Sequence, residues 1–330
     1  MVEKVRLVGA VVVSITIFLT VILNMEESIL RGPTTNASST VMKKKSSTER
    51  SLDVPEITTD DIIYGTRSAF VIPEYKLIFF TFPKVACTEW KRMFMRINGN
   101  PNWCKTRHFK VHDPEQNLIK TLHDYEPEVA TAMMTSPAWT RAAIFREPKE
   151  RVLSAFLDKA INEKDYYVRH CCNRLPTADL KEQCADEEES FESFLHFVTE
   201  YPEECYDVHW EPQIAKMDSK WWDYIDVIGY QHNLLHDSKA ILSQLTSARD
   251  ESGQSAWERY GITGWGSSDS QCEKRPNSFL QENTSGHNLN AGSKMMKWYT
   301  AETEALVEEK WAIEWSQDKV KFPEVKLYKD

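Results

Sequence analysis

The stretch TFPKVACTEWKRMF, residues 81–94, follows directly on the run KLIFF, residues 76–80. Lys76 to Phe82 is short, apolar and rich in aromatic residues, the pattern of a buried strand, and Pro83 ends it. From Thr88 to Ile97 the apolar residues Trp90, Phe94 and Ile97 recur at helical spacing, and Asn98-Gly99-Asn100-Pro101 stops the helix. A lysine, a hydroxyl and small side chains therefore occupy a bend between a strand and a helix. At such a bend the first N–H groups of the helix lack partners and the helix start carries partial positive charge, which suits a phosphate-like anion. Lys84 adds a full charge, Thr88 adds a hydroxyl donor, and Ala86 is small enough to let an anion approach the backbone. The same residues also suit an ordinary Pro-Lys turn with Thr88 as helix N-cap. A nucleoside-triphosphatase loop is absent, because no G-x-x-x-x-G-K-[ST] occurs here.

A second stretch repeats the arrangement. AIFREPKERVLSAFLDK, residues 143–159, joins a short strand from Ala142 to Phe145 to an amphipathic helix from Arg151 to Ile161. Arg146 leaves the strand end, and Arg151 and Ser154 lie three apart on neighbouring helix faces. An arginine fork and a serine hydroxyl suit a second phosphate. The alternative is surface pairing of Arg146 with Glu147 or Glu150 and of Arg151 with Glu147. Strand–loop–helix given twice predicts an α/β fold with a central, mostly parallel sheet flanked by helices. Asp226 to Gly229 reads as a further strand, and Ser190 to Thr199 and Ala301 to Trp315 as helices. Residues 113–135 read as helical but broken, with Pro127 inside, and residues 247–290 as mostly loop. No internal repeat is present.

The chain has 330 residues and a formal net charge of −10, which argues against a general nucleic-acid binder. Leu7 to Leu23 is an apolar run close to the roughly 20 residues that span a bilayer. Lys4 and Arg6 precede it and Glu26 and Glu27 follow it, so residues 1–6 are expected on the cytoplasmic side and the bulk of the chain in the lumen. A cleaved signal peptide would have a shorter apolar run with small residues at its end, so residues 7–24 read as an uncleaved transmembrane signal-anchor. Residues 25–65, rich in Ser, Thr and Lys, have the composition of a flexible stem, and residues 66–330 form the expected folded domain. Asn36 and Asn283 begin glycosylation sequons. Seven cysteines in an oxidising lumen leave at least one thiol unpaired. Cys87, inside the first motif, is the expected free one; the other six can form three bridges of unreadable connectivity. No C-x-x-C pair points to zinc.

PKVACTEWKR and FREPKERVLSAFLDK resemble the two nucleotide-binding signatures of the membrane-bound, Golgi-type carbohydrate sulfotransferases, in the branch of chondroitin, dermatan and HNK epitope sulfotransferases. Their order and spacing of about 60 residues agree with that family. HWEPQ (209–213), YIDVIGY (224–230) and KWYTAETEALVEEKWAIEW (297–315) resemble its later blocks, so the likeness spans residues 76–316. Ile214 to Asp218 depart from the family, which often has cysteines there, so its disulfide pattern does not carry over.

The resemblance implies a P-loop-like sulfotransferase fold and a PAPS-dependent (3′-phosphoadenosine 5′-phosphosulfate) carbohydrate O-sulfotransferase, requiring no metal. By it, Lys84 touches the bridging oxygen and 5′-phosphate, the backbone of Val85, Ala86, Cys87 and Thr88 cradles that phosphate, and Arg146 and Ser154, with Arg151 nearby, hold the 3′-phosphate. The acceptor hydroxyl needs a base, for which His123 and His112 are the candidates, His123 because Asp124 can orient it. Each is equally readable as an ordinary surface or core histidine. Lys84 to Lys110 carries seven basic residues and one acidic, a segment able to steer the donor or hold an anionic glycan, or simply a solvated face. Trp103, Trp221 and Trp222 can stack on sugar rings but more readily fill a core. Two other function classes remain: a catalytically inactive, glycan-binding relative, which the intact Lys84, Thr88, Arg146 and Ser154 argue against, and a nucleotide kinase, which the missing phosphate loop argues against.

Overall fold

The computed structural model describes residues 69–246, 253–261, 291–325 and 327, all within one compact unit that spans Thr40–Asp330. The apolar run 7–23, the stem, both sequons and Cys272 lie outside the described residues. Among the described residues no helix is long and apolar enough to cross a membrane.

Four strands form one sheet in the order β1 (Ala69–Ile72), β2 (Leu77–Phe80), β3 (Thr140–Phe145) and β4 (Val227–Tyr230). β1 is an antiparallel edge strand, whereas β2–β3 and β3–β4 are parallel, so the mostly parallel sheet is present. The sequence reading missed β1, which returns tightly into β2 through the turn Pro73–Tyr75. Every residue of β2 and of β4 is buried, the signature of a sheet covered on both faces.

Helix α1 (Cys87–Ile97) runs from the end of β2. Trp90, Met93, Phe94 and Ile97 are buried, and Trp90 and Phe94 meet Phe79 of β2 at 4.3 and 5.2 Å between ring centroids. Burying each such side chain is worth about 1.5–3 kcal/mol. Gly99 ends the helix at φ 73°, a backbone state that glycine adopts freely. The broken region resolves into the single turn Pro114–Asn117, the turn Leu122–Asp124 and α2 (Pro127–Thr135). Pro127 opens α2 rather than interrupting a helix, because a first-turn proline has no N–H to lose. After β3, α3 (Pro148–Phe156) also starts on proline and continues as a wider π turn, Leu157–Asn162.

α4 (Lys164–His170), α5 (Ala178–Asp186) and α6 (Phe191–Glu200) follow. α7 (Leu234–Ser243) follows β4. α8 (Ala291–Trp298) and α9 (Ala301–Lys310) come last, and the predicted helix to Trp315 is interrupted after Lys310. Two apolar clusters result: one around the sheet and α1, the other around α3, α4, α6 and the C-terminal helices. The second is fastened by the disulfides Cys171–Cys205 and Cys172–Cys184. Cys104 is disulfide-bonded as well, and Cys87 is free, as expected.

Candidate functional site

β2 and β3 are parallel neighbours, so the loops that leave their C-terminal ends emerge side by side on one edge of the sheet. In the first loop Lys84 and Ala86 both hold left-handed backbone, at φ 69° and 58°. Such conformations cost a non-glycine residue about 1–2 kcal/mol each and concentrate where a function needs them. Alternating left-handed residues at a helix start turn successive N–H groups inward, forming an anion-binding concavity. Ala86 is the N-cap of α1 and no side chain caps it. Thr88 is therefore not the N-cap that an ordinary Pro-Lys turn would make it; its Oγ1 instead lies 3.0 Å from His112 Nε2.

The second loop locks onto the first. Arg146 Nη1 donates to the Lys84 carbonyl at 2.9 Å, and Nη2 donates to Glu150 Oε1 at 2.8 Å. Its Nε is a buried donor with no partner among the described residues. The Arg146 backbone is held at both ends by the buried Gln213 side chain, whose Oε1 accepts from Arg146 N (3.0 Å) and whose Nε2 donates to Arg146 O (2.9 Å). Glu314 in turn accepts from Gln213 N at 2.7 Å. The late sequence blocks thus serve as scaffolding for Arg146. Lys149 anchors the same scaffold through Glu304, Glu308 and the Val325 carbonyl.

Lys84 Nζ sits 3.0 Å from Asp158 Oδ2, with both side chains nearly buried. Burial pushes the Lys84 pKa down, Asp158 opposes the fall, and Arg146 adds to it. Burial raises the Asp158 carboxyl, but Lys84 and Lys159 outweigh it and hold that carboxyl below its usual range. Lys159 Nζ also reaches Asp158, at 3.2 Å. Ser154 is buried on α3, one turn before this cluster.

Arg151 is placed otherwise than expected. It is fully buried, and its guanidinium donates to the carbonyls of Pro83 (3.1 Å), Glu211 (2.7 Å) and Val208 (3.2 Å). It braces two loops, each of its three nitrogens being engaged by a carbonyl, and it does not pair with Glu147. His123 also loses its rationale: it is exposed, and Asp124 turns back to accept from Thr121 N (2.7 Å) and Thr121 Oγ1 (2.9 Å). His112 does reach the first loop, with Lys91 Nζ 3.1 Å from its Nδ1. Part of the basic segment is internal: Arg92 donates to the carbonyls of Trp103 and Thr106, and Arg96 lies over the rings of Trp103 and Tyr260. Trp221 and Trp222 are buried in the core rather than offered to a sugar.

The sequence reading gave no role to Asp158, Asp207 or His209. His209 Nδ1 lies 2.6 Å from Asp207 Oδ1, and Asp207 Oδ2 accepts from Tyr166 OH at 2.7 Å. The available signal was the Asp-x-His spacing at the head of the HWEPQ block.

The fold defines an α/β protein whose two strand-end loops meet at one sheet edge. The chain matches the model of the sulfotransferase family over residues 67–283, and it belongs to that family. It is similar to carbohydrate sulfotransferase 9 of Homo sapiens, 24% identical over 189 residues that cover 55% of this chain and 41% of the relative. It is similar also to carbohydrate sulfotransferase 10 of Pongo abelii, 25% identical over 193 residues covering 53% of this chain and 51% of the relative. Carbohydrate sulfotransferase 14 of Mus musculus is 26% identical over 178 residues, covering 53% and 46%. The chain thus spans about half the length of these relatives. No solved structure matches it.

Proposed function

We propose that the protein is a glycan O-sulfotransferase that moves a sulfuryl group from PAPS to a carbohydrate hydroxyl. The observation that carries this reading is the contact between the two loops, Arg146 on the Lys84 carbonyl at 2.9 Å, which puts both candidate phosphate-binding segments within the span of one nucleotide. Family membership supports it. The residues suit a donor with charge at both ends: left-handed backbone at a helix start and a lysine at one loop, an arginine whose buried Nε has no partner among the described residues at the other.

In sulfuryl transfer the protein chiefly positions the reactants and neutralises charge. The N–H groups of Val85 to Thr88 would receive the 5′-phosphate, and Lys84 would exchange Asp158 for that phosphate as charge builds on the leaving oxygen. Arg146 and Ser154 would hold the 3′-phosphate. PAPS supplies the activated sulfur and needs no metal in this scheme. Segments within residues 160–210 and 247–290 would select the acceptor, and the basic segment favours an anionic glycan. The apolar run 7–23 and the stem fit a single-pass Golgi enzyme with a lumenal domain.

Retention on immobilised adenosine 3′,5′-bisphosphate, without retention on immobilised ATP, tests the donor site. Transfer of labelled sulfate from PAPS to a pool of desulfated glycans then separates an enzyme from an inactive glycan-binding relative. Failure to bind the bisphosphate refutes the reading.

A further inference from the structure

His209 lies beside the Lys84 cluster, although 125 positions separate the two in sequence. Arg151 brings them together: one guanidinium holds Pro83, just before Lys84, and Val208 and Glu211, which flank His209. The Cys171–Cys205 disulfide ties the same loop to the end of α4. From α4, Tyr166 donates its hydroxyl to Asp207 and sets its ring edge-on to the imidazole, 5.4 Å between centroids. Lys159 lies 4.7 Å from the centre of that Tyr166 ring while also holding Asp158, the partner of Lys84.

The imidazole itself is set up as a proton acceptor. Asp207 is buried and takes both the His209 backbone N–H (2.8 Å) and Nδ1 (2.6 Å), which fixes the proton on Nδ1. Nε2 is then left as a lone pair, and no described residue occupies it. The side chain is 21% exposed, so the imidazole is not sealed in the core. His112 lacks this freedom. Lys91 donates to its Nδ1, so its Nε2 must carry the proton that goes to Thr88 Oγ1, and no lone pair remains.

Resting on the sulfuryl-transfer reading, we propose that His209 is the general base for the acceptor hydroxyl and that Asp207, steadied by Tyr166, is its positioning residue. As the acceptor oxygen bonds to sulfur, Nε2 takes the hydroxyl proton. The bond from sulfur to the phosphate oxygen breaks, and its electron pair leaves on that oxygen, beside Lys84. The resulting imidazolium is held by the Asp207 carboxylate until Nε2 returns its proton to water.

The groups that act on His209 are Asp207 on its own loop, Tyr166 on α4, whose ring meets the imidazole, and, through their charge, Lys159 on the π turn and Lys84 on the first loop. Burial pushes the His209 pKa below the ordinary imidazole value; Asp207 pulls it up, and Lys159 and Lys84 push it down. His209 is accordingly neutral at neutral pH, the form a base requires.

The test uses the full-length chain and two readouts. In the first, the His209 imidazole is titrated by NMR, its signal identified by loss in His209→Asn. Its pKa should lie below that of a free imidazole and rise when adenosine 3′,5′-bisphosphate adds negative charge beside it. Bound bisphosphate that leaves the titration unmoved places His209 away from the donor and overturns the proposal. In the second, labelled sulfate transfer from PAPS to a pool of desulfated chondroitin and dermatan is followed against pH. His209→Asn should keep bisphosphate affinity within about twofold and lose about 10²–10⁴-fold in kcat. Asp207→Asn should move the acid limb of the rate to lower pH, while Lys159→Ala should move it to higher pH. Transfer by His209→Asn within threefold of the parent refutes the base assignment alone. A parent that binds no bisphosphate refutes the sulfotransferase reading instead.

Discussion

Replacing Arg151 by lysine distinguishes a strut from a phosphate ligand. The buried guanidinium makes three hydrogen bonds to carbonyls, at 2.7, 3.1 and 3.2 Å, which converge from three points of the backbone. Burial pushes its pKa down to about 10, with Glu314 and Glu211 opposing, so it stays charged at neutral pH. A lysine ammonium keeps the charge but reaches at most one of these carbonyls. A hydrogen bond to a charged group contributes about 1.5–3 kcal/mol, so losing two costs about 3–6 kcal/mol. That is a large share of the ~5–15 kcal/mol that holds a domain together. With a urea slope of about 3 kcal/mol/M, the unfolding midpoint should fall by about 1–2 M. Tryptophan fluorescence of the full-length protein in urea reads this directly, since Trp210 lies within the braced loop. Below the transition, the loss of bisphosphate affinity should be smaller than that of Arg146→Lys. An unchanged midpoint together with a collapse in bisphosphate affinity would show that Arg151 faces the donor after all.

Glu147 is buried, and desolvation raises its carboxyl to about 7. The folded chain then keeps a proton between pH 4.5 and 7 that the unfolded chain releases, so stability falls as pH rises through that window, by about 3 kcal/mol in total. Glu147→Gln should remove that slope in urea midpoints taken at pH 5 and pH 7.5; parallel curves for parent and variant would contradict it. The Cys171–Cys205 bridge spans a sequence separation of 34, for which the chain-entropy argument gives about 4 kcal/mol. Replacing both cysteines by serine should lower the melting temperature by roughly 10 °C, and a shift under about 2 °C would mean that buried contacts alone secure the loop.

Residues 76–97 and 142–161 were legible because each carries a complete local signal: an apolar strand, a breaker and an amphipathic period. Order and spacing of two such units sufficed for the parallel core of the sheet. β1 escaped notice because AFVI is too short to show a period. The left-handed states of Lys84 and Ala86 escaped as well. Such backbone normally asks for glycine, and here the surrounding contacts, including Arg146 on the Lys84 carbonyl, impose it on side chains that do not favour it. Arginines were the least readable residues. Arg146 and Arg151 sit five apart in one motif, yet one presents a spare donor at the loops and the other is buried among carbonyls contributed from positions 83, 208 and 211. Nothing local announces those distant partners. The same holds for His123 and His209: the carboxylate beside His123 turns to a capping box, whereas the one two residues before His209 turns to the ring.

Calorimetric titration of the full-length protein with adenosine 3′,5′-bisphosphate tests the central claim most directly. The parent should bind one equivalent. Lys84→Ala and Arg146→Ala should each weaken binding by about ten- to a hundredfold, the equivalent of one charge-assisted bond of ~1.5–3 kcal/mol. Equal affinity in the parent and both variants would mean that the two strand-end loops do not grip a common nucleotide.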